Sequence, residues 1–191
     1  GYAYHLYHAG DGNDNSGTNY LNPENFRKAM TAIGKNYGSD NKPIIMTEFC
    51  TMENAVREQD MLGLAHIMQV GFTSVKDSGA LKGYTESGKL NAYIAWELFW
   101  GEQNGQLIGV CPGEGWSSCT EAKLYINPEY HAMRHYSKFV NPGWRVVSST
   151  ADGSDIYAVA FRSADCDSIS VIAINKGSAQ NLNFSVNGYN P

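Results

Sequence analysis

Apolar positions along the 191-residue chain follow two patterns that meet near residue 141. In the first, runs of consecutive apolar residues alternate with stretches in which apolar residues recur every third or fourth position. Tyr2–Tyr7, Pro43–Phe49 and Leu90–Leu98 are the runs, and each reads as a strand buried in a parallel sheet. Behind Asn22-Pro23-Glu24, residues Phe26, Ala29, Met30 and Ile33 keep helical spacing. Asn serves as N-cap, Pro as first helical residue and Glu as first-turn acid, and Gly38 stops the element. A second helix is expected over about residues 54–76, with Val56, Met61, Leu64, Ile67 and Met68 on its inner face. Asn127-Pro128-Glu129 repeats the start signal and opens a helix to about Val140. Gly10–Gly17 is a loop, and a long Gly/Cys loop carries the chain from the third strand to Asn127. The order β-α-β-α-β-α is that of a parallel sheet with helices packed outside.

After Asn141-Pro142-Gly143 the period changes to two. Trp144–Thr150, Ile156–Arg162, Ile169–Asn175 and Leu182–Val186 alternate apolar and polar residues and read as short antiparallel strands of a sandwich or small β domain. The expected division is therefore 1–141, the C-terminal portion of a (β/α)₈ barrel, and 142–191, part of a side β-sandwich domain. Three β/α units do not close a barrel, and a fifty-residue β region buries too little to stand alone. The chain reads as the C-terminal part of a larger fold, a mature or cut product beginning at Gly1, with its first strand an unpaired edge.

Composition narrows the partners. The net charge of −5 and the lack of a basic cluster argue against nucleic acid, and every long apolar run is broken before it reaches membrane length. With 12 Tyr, 4 Trp and 20 Gly against only 17% charged residues, the surface suits a secreted protein that stacks aromatic rings on neutral sugars. Cys111 and Cys119 bracket a turn-rich loop in which a short disulfide fits, the alternative being two free thiols; Cys50 and Cys166 have no evident partners. No Cys or His pair has the spacing of a zinc site, and nothing demands a metal or cofactor.

Chemistry collects at the strand ends, the face of a barrel where catalytic groups sit. Ile44-Ile45-Met46-Thr47 runs directly into Glu48; His5 and Tyr7 end the first strand, and Trp96 and Glu97 end the third. Taken singly, a strand-end Glu is more often an ion-paired surface residue, and a strand His or Trp is more often structural. Taken together, a carboxylate, a Tyr hydroxyl that orients it and a flat Trp platform are the nucleophile, orienter and sugar floor of a retaining glycosidase. Glu97 directly follows Trp96, so strand alternation would point its side chain away from the cleft.

The set His5-Leu6-Tyr7, Thr47-Glu48-Phe49, Asn91–Trp96 and above all Tyr136-Ser137-Lys138-Phe139-Val140-Asn141-Pro142-Gly143 resembles glycoside hydrolase family 30, from the sixth barrel strand onward. Ile156–Phe161 and Val171–Lys176 resemble the course of that family's side domain. The resemblance implies a secreted retaining hydrolase of β-1,4-xylan, with Glu48 as nucleophile and His5, Tyr7, Trp96 and Trp100 shaping the sugar site. It places the acid/base glutamate upstream of Gly1, so the chain alone would be inactive and would need the N-terminal half. Glucuronate-requiring members carry arginines after the last strand's Trp; here Glu97-Leu98-Phe99-Trp100 stands, which implies a xylanase indifferent to glucuronate. A β-1,6-glucanase, a β-glucosidase-like enzyme and a non-catalytic carbohydrate-binding fragment are the alternatives.

Overall fold

The computed structural model describes residues 1–5, 23–37, 42–49, 57–73, 90–100, 106–111 and 122–186. Strands β1 (Tyr2–His5), β2 (Ile44–Phe49) and β3 (Leu90–Ala95) form a parallel sheet in that order, with α1 (Pro23–Tyr37) and α2 (Arg57–Thr73) between them in the chain. The class is mixed α/β. The third strand ends at Ala95 rather than at Leu98, and α2 falls within the helix expected over about residues 54–76, whose two ends lie outside the described residues.

One face of this sheet is buried. Tyr2, Tyr4, Ile44, Met46, Phe49, Leu90 and Tyr93 join Phe26, Met30 and Ile33 of α1 and Leu64, Ile67 and Met68 of α2 in one apolar cluster. Where β3 carries an extra residue against β2, the Ile44 N–H donates to the Asn91 side-chain oxygen at 2.8 Å, so a side chain stands in for the missing ladder partner. Residues 63–71 of α2 are all buried, because α1, β3, β8, β9 and α3 surround the helix. A helix without a single solvent-facing polar side over these residues suits that position.

The stretch read as a Gly/Cys loop holds a second sheet. Strand β4 (Phe99–Trp100) pairs parallel with β5 (Ile108–Cys111), which pairs antiparallel with β6 (Lys123–Ile126). Ile-Gly-Val-Cys and Lys-Leu-Tyr-Ile are short apolar-alternating segments, outweighed in the sequence by the glycines and cysteines around them. Phe99, Ile108 and Ile126 stand in register, as do Val110 and Leu124, so all five share one face. Phe99, Leu124 and Ile126 are exposed.

Asn127 precedes α3 (Pro128–Ser137) in the extended conformation of an N-cap, but its side chain makes no capping bond. Its amide donates instead to the Gln106 carbonyl at 2.9 Å and its backbone N–H to the Leu107 carbonyl at 3.0 Å, tying the start of α3 to β5.

Beyond α3, β7 (Arg145–Val147), β8 (Ile156–Arg162) and β9 (Ile169–Asn175) form an antiparallel sheet in that order. The strand expected at Leu182–Val186 is absent: these residues lie outside regular structure, with Phe184 exposed. The described residues hold one such sheet, and its inner face is covered by α2 rather than by a second sheet. Val159, Phe161, Ile172 and Ile174 belong to the same buried cluster as the parallel sheet, so the core runs on past residue 141. At this seam the Tyr136 hydroxyl donates to the Ala65 carbonyl at 2.8 Å and the Gln69 amide to the Ala158 carbonyl at 3.1 Å. The His66 ring lies 3.6 Å from that of Tyr157, centroid to centroid.

Candidate active site

Three parallel strands end side by side, and their last residues form the site. β2 is the strand that departs from regular pleating. Tyr4 and His5 of β1 are aligned with Met46 and Glu48, and Tyr93 and Ala95 of β3 with Met46 and Phe49. Between Met46 and Phe49, β2 therefore carries one residue more than each neighbour, a bulge. Burial records the same slip: Ile44, Met46 and Phe49 are buried, while Thr47 and Glu48 are both only half-buried. Strict alternation from Ile44 and Met46 would have turned residue 48 into the helix-covered core. The bulge turns it to the open face.

There Glu48 meets His5. The imidazole Nδ1 lies 3.3 Å from a carboxylate oxygen, with the His5 side chain 51% exposed and that of Glu48 25%.

The end of β3 is tied to the same point. The Trp96 N–H donates to the Phe49 carbonyl at 3.0 Å, and the Tyr93 hydroxyl donates to that oxygen at 3.3 Å. Trp96 is 46% exposed, and the peptide that follows it is cis. Glu97 follows at the same rim. Its carboxyl is held above the usual range, first by burial and then by the charge of Glu48, so the two carboxyls are electrostatic neighbours. Alternation does not govern its direction because β3 has already ended at Ala95. The Glu97 and Leu98 carbonyls accept from the N–H groups of Leu107 and Ile108, each at 2.8 Å, which joins this rim to β5.

The structure thus brings His5 and Glu48 into contact and bonds the backbone of Trp96 to the residue after Glu48. Tyr7, Cys50 and Cys119 lie outside the described residues, as does the side chain of Trp100, whose backbone pairs with Gly109. Cys111 is disulfide-bonded, and with Cys166 free and exposed its partner is outside the described residues. Sequence reasoning missed Thr47 and Tyr93 as neighbours of the site, since only the bulge gives them work there. Among the described residues, no group of three or more His, Cys, Asp or Glu could hold a metal, and no helix is long and apolar enough to cross a membrane.

No protein-family model matches the chain, and no curated protein matches it. Solved structures do match. The chain is similar to a conserved exported protein from Bacteroides fragilis, with a TM-score of 0.59 at 16% identity over 91% of this chain and 35% of that one. It is similar to SrfJ from Salmonella typhimurium, with a TM-score of 0.50 at 18% identity over 73% of this chain and 29% of that one. It is also similar to the catalytic domain of GH30 xylanase C from Talaromyces cellulolyticus, with a TM-score of 0.51 at 17% identity over 70% of this chain and 28% of that one. The chain spans about a third of the length of these structures, and at such identities the likeness is one of fold.

Proposed function

We propose that this chain is the nucleophile-bearing part of a retaining glycoside hydrolase that cleaves β-1,4-xylan. The observation that carries the reading is the contact between His5 and Glu48 at the ends of adjacent parallel strands. The fold likeness to a GH30 xylanase catalytic domain supports it, as does the likeness to an exported protein for a secreted enzyme. In this reading β1, β2 and β3 are the sixth to eighth strands of a (β/α)₈ barrel, residues 142–191 belong to a side β domain, and the N-terminal half is the partner.

Glu48 attacks the anomeric carbon as its glycosidic bond breaks, giving a covalent glycosyl-enzyme that water then hydrolyses. His5 orients the carboxylate, and Trp96, with Tyr7 and Trp100, offers aromatic surface to the sugar. Proton transfer to the leaving oxygen contributes about 10²–10⁴-fold and falls to an acid in the N-terminal half, so the chain alone is inactive.

Glu48→Gln in the complete enzyme tests the reading. Loss of nearly all turnover on linear xylan, with xylo-oligosaccharide affinity kept, is expected; persistent turnover would show that Glu48 is not the nucleophile, and binding without turnover in the unaltered enzyme would mark a carbohydrate-binding protein. Two neighbouring carboxyls disfavour an anionic branch near the attacked sugar. Rates on glucuronoxylan no higher than on undecorated xylan are therefore expected, and strong dependence on glucuronate contradicts this substrate assignment.

A further inference from the structure

We infer that the bulge in β2 is the device that aims Glu48, and that Thr47 and Tyr93 are the positioning residues that hold it. The inference rests on the reading of Glu48 as nucleophile and adds two residues that act through the backbone on either side of it.

A bulge leaves backbone groups without ladder partners and gives the strand freedom to slip back. Here both sides are fastened. Toward β1, Thr47 is the extra residue opposite the step from Tyr4 to His5, and its hydroxyl donates to the Tyr4 carbonyl at 3.4 Å. Toward β3, the Phe49 carbonyl accepts two bonds, from the Tyr93 hydroxyl at 3.3 Å and the Trp96 N–H at 3.0 Å, which uses both its lone pairs. The Phe49 ring is buried edge-on against Phe26 at 5.9 Å and Tyr93 at 6.2 Å, so the residue after Glu48 is anchored by ring and carbonyl together. Glu48 therefore sits between two pinned residues, facing the side opposite to the one the pleat alone would give it.

Loosening either pin lets the carboxylate sample directions from which it cannot reach the anomeric carbon. Attack geometry is lost while ground-state sugar contacts, made by other groups, stay.

The experiment is steady-state kinetics of Thr47→Val, Thr47→Ser, Tyr93→Phe and Glu48→Gln in the complete enzyme on linear xylan, with melting temperatures alongside. Thr47→Val and Tyr93→Phe should each lower kcat about fivefold, the effect of one hydrogen bond, at unchanged KM, with the melting temperature down by no more than about 2–4 °C and the enzyme still folded at the assay temperature. Thr47→Ser keeps the hydroxyl and should restore the native rate. Should both variants keep native kcat while Glu48→Gln is inactive, the inference fails and the nucleophile assignment stands. A Thr47→Ser enzyme as slow as Thr47→Val, or a rate loss matched by an equal loss of folded enzyme, overturns the positioning role. An active Glu48→Gln overturns the nucleophile assignment and the inference with it.

Discussion

His66 shows how strongly one buried side chain can set the conditions under which this molecule holds together. It lies on α2 at the seam with β8, almost fully buried, its Nδ1 without a hydrogen-bond partner. Burial lowers its pKa to about 4, assisted by the positive charges of Lys176 and Arg27. The unfolded chain takes up this proton near pH 6.5 and the folded chain only near pH 4, so the stabilisation is complete above pH 6.5 and is lost as pH falls through that window. The span corresponds to ~3 kcal/mol at most. Urea unfolding at pH 7.5 and pH 4.5 should show a larger acid loss for the wild type than for His66→Phe; equal losses would sink the assignment. No local sequence signal marks His66, because its chemistry comes from a strand ninety residues away. His5 and Glu48 were legible as strand-end residues. The facing of Glu48 was not, because a one-residue bulge leaves no mark on composition or spacing.

Among the elements, α2 carries the structure. Its apolar spacing was readable, but its burial on every side was not, since periodicity cannot tell a helix covered twice from one covered once. Tyr136 of α3 shows how closely the packing is fixed: its hydroxyl reaches a carbonyl of α2, and burial raises its pKa. Tyr136→Phe removes that bond and should cost about 1 kcal/mol, some 2–4 °C in melting temperature for a chain of this size. Because the folded phenol stays protonated while the unfolded one ionises near pH 10, wild-type stability should fall as pH rises past 10. The variant, having no phenol there, should lose less over the same range by alkaline thermal melts. β4, β5 and β6 escaped the sequence for another reason: pairs of two to four residues among glycines do not outweigh turn chemistry.

At the scale of the whole molecule, the parallel and antiparallel parts share one core. Antiparallel pairing already begins at β5 and β6, ahead of the shift in hydrophobic period near residue 141, and that shift carried no information on whether the sheets on its two sides would share a helix. The described residues also leave much of an apolar sheet face in view, with Phe99, Leu124 and Ile126 exposed and Ile108 and Val110 half-buried between them. Among the described residues β6 is the outer strand of that sheet and borders the apolar face. Its consequence is colloidal. A net charge of −5 over 191 residues gives weak mutual repulsion, and molecules meeting through this face gain by excluding water. The concentration at which the chain stays dispersed should fall with added sulfate, which strengthens apolar association and screens charge. Leu124→Glu places a charge on the outer strand of the face and should raise that concentration; light scattering unchanged by the substitution would mean that another surface governs self-association.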